Sequence, residues 1–270
     1  MRILGPAIAL TFAIGLSSAP TLSTFAAPRS TAAAIGTREA TKALKEAHDT
    51  VEPQALQALT RMSTYLGTLT SFEIKTDTTL DLVTTDGQRV QVGGTAQYKV
   101  RRPDGFQIDL VSDVMSRRYY FDGKQFTVYA PKLDYYATAA APPTIREALD
   151  VIYNKFGIAL PLEDLFRWSD PDSLRAQKLK AGFVVGPATV DGVATDHYAF
   201  REGNHDWEVW IQQGEKPIPR KLVIVDRSDS ARPTYVARLT WNMSPTLVAN
   251  DFTFKAGKDT KQIHLATSDK

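Results

Sequence analysis

Phe72-Glu73-Ile74-Lys75-Thr76-Asp77-Thr78-Thr79-Leu80-Asp81-Leu82 carries apolar residues or Thr at every even position and mostly charge at the odd ones. A period of two is that of a strand, dry on one face and wet on the other. The same alternation continues downstream. Asp86-Gly87-Gln88 reads as a turn, and Arg89 to Arg102 as the returning strand, with Gly93-Gly94 predicting a bulge or sharp bend within it. Pro103-Asp104-Gly105 turns the chain again, after which Phe106, Ile108 and Leu110 alternate with Gln107 and Asp109. Arg118 to Phe121 and Gln125 to Tyr129 flank Asp122-Gly123 as a further hairpin, and Leu133 to Thr138 adds a short strand. Strands this long favour a strongly twisted or curled sheet.

On either side of this meander the period is helical. Pro53 suits a first helical turn, and Leu56, Leu59, Met62, Leu66 and Leu69 follow at three- and four-residue steps. Pro142-Pro143-Thr144 gives a stop and an N-cap, and Ile145, Leu149, Ile152 and Phe156 then share one face. Leu160-Pro161-Leu162 and Leu165-Phe166-Trp168 read as a second apolar cluster on a short helix, closed by a loop from Ser169 to Ser173. Strand periodicity returns in Phe183–Val190, Ala194–Arg201, Trp207–Gln212, Arg220–Asp226 and Thr234–Asn242, and Asp251–Phe254 reads as the end of the sheet. Helix, strands, helices, strands is the order of an α+β protein with an antiparallel sheet. One apolar face and only two or three helices to cover it predict a half-barrel: a strongly curved antiparallel sheet wrapped around the helices, with an apolar cavity between.

Arg2 is the only charge before Arg29, and the apolar run Ile3–Leu16 dissolves into small residues at Ser17-Ser18-Ala19 and Thr24-Phe25-Ala26. The run is shorter than the ~20 residues a spanning helix needs. Residues 1–27 therefore read as a secretory signal peptide, cleaved after Ala26 or Ala27, and the expected location is outside the cytoplasm. Residues 28–50, rich in Ala, Thr and charge, read as a flexible or frayed helical lead. The absence of cysteine removes thiol catalysis, thiolate zinc sites and disulfides, and with them the lipid-modified cysteine of an anchored lipoprotein, so the expected product is soluble.

The 32 basic and 30 acidic residues nearly cancel and are interspersed, which argues against nucleic acid as a partner. No nucleophile elbow, zinc-protease helix, phosphate-binding loop or dinucleotide fingerprint is present. Asp196, His197, His205 and Asp206 would make a metal or acid–base site only if a hairpin joined them. The reading preferred is that His197 packs at a strand position while Asn204-His205-Asp206 forms a solvated turn. Asp170-Pro171-Asp172 likewise reads as a turn. Trp168, Trp207, Trp210 and Trp241 read as core or cavity wall rather than a sugar platform. The expectation is a protein with no catalytic residues, metal or cofactor, and so not an enzyme.

Asp196-His197-x-x-Phe200-Arg201, Asp206-Trp207-x-x-Trp210-Ile211 and Gly214-x-x-x-Pro217-x-Pro219-Arg220-Lys221 resemble the signature of an uncharacterised family of predicted periplasmic bacterial proteins. Arg61-Met62-Ser63-x-Tyr65-Leu66, Arg102-Pro103-Asp104, Tyr120-x-Asp122-Gly123-Lys124 and Leu160-Pro161-Leu162 fit the same family, so the resemblance runs from about Val51 to the C-terminus. That family is similar in architecture to the periplasmic lipoprotein carriers, in which a half-closed antiparallel sheet wraps helices around a lipid-binding cavity. The resemblance implies one half-barrel domain over residues 51–270 and a soluble periplasmic carrier for a lipid, an acylated lipoprotein end or another amphiphile.

Face assignment places Phe72, Ile74, Leu80, Leu82, Phe106, Ile108, Leu110 and Trp241 on the sheet side of the cavity. Leu59, Met62, Leu66, Leu149 and Ile152 fall on its helix side. The alternative, drawn from related half-barrels, is a periplasmic sensor or adaptor whose partner is a membrane protein of the cell envelope.

Overall fold

The computed structural model describes residues 49–169 and 178–267. The expected signal peptide, nearly all of the lead and Asp170-Pro171-Asp172 lie outside the described residues. Helix α1 (Pro53–Thr68) precedes a first meander: β1 (Ser71–Val83), β2 (Arg89–Arg101), β3 (Gly105–Ser112), β4 (Ser116–Phe121), β5 (Gln125–Ala130) and β6 (Tyr135–Ala140). The insert α2 (Ile145–Phe156) and α3 (Asp164–Arg167) comes next. A second meander follows: β7 (Leu179–Val190), β8 (Val193–Glu202), β9 (His205–Gln212), β10 (Pro219–Asp226) and β11 (Thr234–Asn242). The chain ends in a 3-10 turn (Ala249–Phe252) and β12 (Lys261–Gln262).

The strands form one twelve-stranded sheet in the order β12-β6-β5-β4-β3-β2-β1-β11-β10-β9-β8-β7. The two meanders are joined at its centre, where β1 pairs with β11 from Glu73↔Asn242 to Leu80↔Tyr235. Every pairing is antiparallel except that of β12 with β6. The sheet is curved and unclosed. Phe166 lies 6.1 Å from Phe106 of β3, while Trp168 lies 5.5 Å from Trp207 of β9. Those strands are five spacings apart, about 24 Å along a flat sheet. Curling brings both within reach of side chains two residues apart.

The outer edge at β7 is blunted in several ways. Val51 bridges Gly182, the Glu52 N–H donates to Gly182 O at 2.7 Å, and the Gly182 N–H donates to Thr50 O at 3.1 Å. The Val184 N–H donates to the Glu52 carboxylate at 3.1 Å, and beyond it the register shifts before Gly186 and Pro187. Such devices keep an edge strand from pairing with another chain.

The helices fill the concave side. Ala55, Ala58, Leu59, Met62, Ser63 and Leu66 are the buried face of α1, and Ile145, Ala148, Leu149 and Ile152 that of α2. Thr144 caps α2 by accepting the Glu147 N–H at 3.3 Å and donating its hydroxyl to the Glu147 carboxylate at 2.8 Å. Leu56, expected in the apolar stripe, is 47% exposed because it falls just past the edge of the arc that Ala58 and Ser63 define.

Two strand-level expectations change as well. Gly93-Gly94 makes no bulge: β1 and β2 stay in register from Ser71↔Arg101 to Val83↔Arg89. Gly94 is there for space, since a Cβ would come 3.1 Å from both Ser112 Cβ and Val111 O. Asp251–Phe254 is not a strand. Asp251 holds a 3-10 turn by accepting the Val248 N–H at 2.8 Å and pairing with Lys99 at 2.6 Å, and the sheet ends instead at β12.

Candidate functional site

The concave face is built by the even positions of β1. Phe72 stands opposite Val100, Ile74 opposite Tyr98, Thr76 opposite Ala96, Leu80 opposite Val92 and Leu82 opposite Val90. The next strands extend the rows, with Val100↔Phe106, Tyr98↔Ile108 and Ala96↔Leu110 on one side and Ile74↔Trp241 on the other. Ten of the residues expected there are buried in one cluster: Leu59, Met62, Leu66, Phe72, Ile74, Phe106, Ile108, Leu110, Leu149 and Ile152. Trp241 packs against that cluster, its ring 5.4 Å from Phe72 and its indole N–H donating to Pro219 O at 2.8 Å. Leu80 and Leu82 share the face but are only half-buried and lie outside the cluster. Opposite Leu82, Val90 is 45% exposed. The apolar ladder therefore runs on past the side chains that cover it.

Polar atoms lie among the covered part. The Tyr98 hydroxyl donates to Pro161 O at 3.2 Å, tying β2 to the insert, and burial raises the Tyr98 phenol well above its ordinary range. Burial raises Tyr235 likewise. Glu163 and Asp164 are both buried at the start of α3. Burial, with Glu163 and Glu202 nearby and Arg167 opposing, pushes the Asp164 carboxyl up to about 7. Arg167 donates to Asp150 at 2.9 Å and stands 3.6 Å from Glu163. Trp168 stacks on Trp207 at 5.5 Å, and Phe200 stacks on the same indole at 4.4 Å. Ser63 Oγ, Asp164 Oδ2 and the Nε1 atoms of Trp168 and Trp207 have no hydrogen-bond partner among the described residues. Face assignment does not reach this group, because α3 has too few turns for a period and Trp168 and Trp207 read as core or cavity wall without regard to their indole N–H groups.

At the floor of the site, Arg102 donates to Leu66 O and to Leu69 O, the latter at 3.1 Å, and its guanidinium lies 5.3 Å from the Phe72 ring. It satisfies Leu69 O and adds a second donor to Leu66 O, which already accepts the Leu69 N–H at 3.3 Å, and burial lowers its pKa to about 10.

The histidine constellation does not assemble. Register sets Asp196 opposite Ile211 and His205 opposite Glu202, at opposite ends of the β8–β9 hairpin. His197 Nε2 lies 2.7 Å from the Glu208 carboxylate, and the ring stacks on Trp210 at 3.8 Å with the Lys221 ammonium 4.1 Å from the Trp210 ring centre. Asp196 accepts from Gln213 at 2.7 Å, while Asp206 pairs with Arg201 at 2.6 Å and Arg232 at 3.1 Å. A cavity of about 290 Å³ does open on the convex side, where Tyr120, Thr127, Tyr136 and Thr138 face Phe254 and Gln262, and its lining is largely polar.

Residues 55–266 match the family described as "Predicted periplasmic protein (DUF2092)". The chain belongs to that family. The family description agrees with the expected periplasmic location. No curated protein matches the chain. Among solved structures, an uncharacterised conserved protein from Thermus thermophilus is similar at 10% identity, with 78% of this chain and 99% of that one covered and a TM-score of 0.45. The lipoprotein LppX from Mycobacterium tuberculosis is similar at 14% identity, with 72% and 98% covered and a TM-score of 0.45. A LolA superfamily protein from Nitrosomonas europaea is similar at 8% identity, with 74% and 97% covered and a TM-score of 0.35.

Proposed function

We propose that this DUF2092 protein is a soluble periplasmic carrier that buries the acyl chains of an amphiphile on its concave face. The observation that supports this most is the continuity of the apolar ladder past its helical cover, through Leu80, Val92, Leu82 and Val90. A chain laid along that surface continues into rows already lined by Ile74, Tyr98, Ile108 and Leu110. Each methylene taken out of water contributes about 0.8 kcal/mol, so ten contribute about 8 kcal/mol before ordering is subtracted. This mode of action is binding rather than catalysis; of the thirteen residues assigned to the cavity, Leu80, Leu82 and Trp241 are the ones partly open to a chain, and the other ten are the packed floor beneath the helices.

Native mass spectrometry of the protein purified from its own periplasm tests the proposal. The expected result is mass additions that fragment to acyl species. A protein that emerges empty and fails to quench or displace an added pyrene-labelled acyl probe is not a carrier. If it instead co-purifies with an envelope membrane protein, the adaptor role replaces this one.

A further inference from the structure

Within the carrier reading, and resting on it, we infer that Trp168, Trp207 and Ser63 form a seat for the neutral carbonyl oxygens of an acyl ester. Trp168 and Trp207 are each 1% exposed, yet neither indole N–H has an acceptor among the described residues. Ser63 Oγ and Asp164 Oδ2 are equally enclosed and equally unpartnered. Buried polar atoms in folded proteins nearly always have partners, so a group of four in one place marks a site that something else completes.

The four converge. The two indoles stack at 5.5 Å. Asp164 precedes Trp168 by one helical turn, fixed by the Trp168 N–H donating to Asp164 O at 2.6 Å, which puts both side chains on one side of α3. Ser63 precedes Gly67 by one turn on α1, and a Cβ on Gly67 would come 3.0 Å from Ser169 O, next to Trp168.

Their chemistry selects the ligand. An indole nitrogen only donates, so the seat calls for oxygen acceptors. A free fatty acid offers a carboxylate, but the seat is buried beside two acidic groups, Glu163 and Asp164, with Arg167 already engaged by Glu163 and Asp150, so a further charged carboxylate would be buried without a partner. A bare alkyl chain leaves both N–H groups unmet. An ester carbonyl is neutral, accepts from both indoles and sits where an acyl chain meets its head. Glycerolipids and the lipid-modified ends of lipoproteins share this group.

The test compares a dioleoyl phospholipid, its dioleyl ether counterpart, oleate and a triacylated lipopeptide as displacers of the pyrene-labelled acyl probe. The ester phospholipid should bind at least ~10-fold more tightly than its ether counterpart, the worth of one or two buried hydrogen bonds. Trp168→Phe with Trp207→Phe keeps the rings and should bring ester and ether to parity. Stronger displacement by the lipopeptide than by the phospholipid assigns the ester to a lipoprotein, and the reverse to a free lipid. Equal binding of ester and ether by the unaltered protein, or tighter binding of oleate, overturns the seat but leaves carriage standing. Displacement by none of the four overturns both.

Discussion

At the scale of single residues, Asp164 shows how the concave side handles charge. Its carboxyl is pushed up to about 7, so the folded state holds a proton that the unfolded chain releases near pH 4. Stability linked to this group therefore declines as pH rises from about 4 through about 7. Asp164→Asn has nearly the same shape and no charge to bury. It should stabilise the protein by a few kcal/mol at pH 8 and hardly at all at pH 4. Urea titrations at the two pH values check this, and equal effects at both would mean that Asp164 is not the titrating group. Arg102 presents the opposite case, a buried cation that serves the backbone. Arg102→Ala leaves Leu69 O without its donor and Leu66 O with only the Leu69 N–H, and should destabilise by about 1–3 kcal/mol in the same titration. The sequence shows neither residue's role, although Arg102 stands in the Arg102-Pro103-Asp104 motif. Asp164 lies in a four-residue helix with no readable period, and Arg102 reads as half of a basic pair at a strand end.

At the scale of elements, alternation and caps made most of the fold legible, and packing between elements hid the rest. Thr234–Asn242 and the Thr144 cap appear where periodicity and capping place them, because each is governed by neighbours in sequence. Gly93-Gly94 was misread because a glycine inside a strand signals either a bulge or close approach, and only the facing Ser112 decides which. The β7 edge depends on the same kind of fact. Gly182 stands where a Cβ would come 2.7 Å from the Phe200 ring, and its two backbone bonds hold residues 50–52 along the edge. Gly182→Val should displace that segment and destabilise the protein by about 1–3 kcal/mol. Hydrogen exchange would then rise at the Glu52 and Val184 amides ahead of the strands behind them, and unchanged exchange there would show that the edge is held by other contacts.

At the scale of the whole molecule, the sheet is wider than its helices can cover, and the mismatch separates two kinds of apolar residue on one face. Phe106 lies under the insert, in ring contact with Phe121, Phe126 and Phe166. Leu82 and Val90 lie beyond it, on the same ladder but in contact with solvent. Sequence periodicity gave all of them the same role, since it reports which face a residue takes and not whether a helix reaches that far. Function should separate them. Phe106→Ala removes one buried ring from the cluster and should cost about 3–5 kcal/mol of stability. Leu82→Asp with Val90→Lys takes nothing from the cluster and sets opposite charges across the strand pair, so unfolding should shift by about 1 kcal/mol or less per site. The same pair puts two charges on the surface along which acyl chains would slide, and affinity for the pyrene-labelled probe should fall at least ~10-fold. Loss of probe binding with the melting curve nearly unmoved is the outcome that a carrier requires. If the double variant binds as before, chains do not reach the concave face from this end, and the uncovered ladder is only surplus sheet.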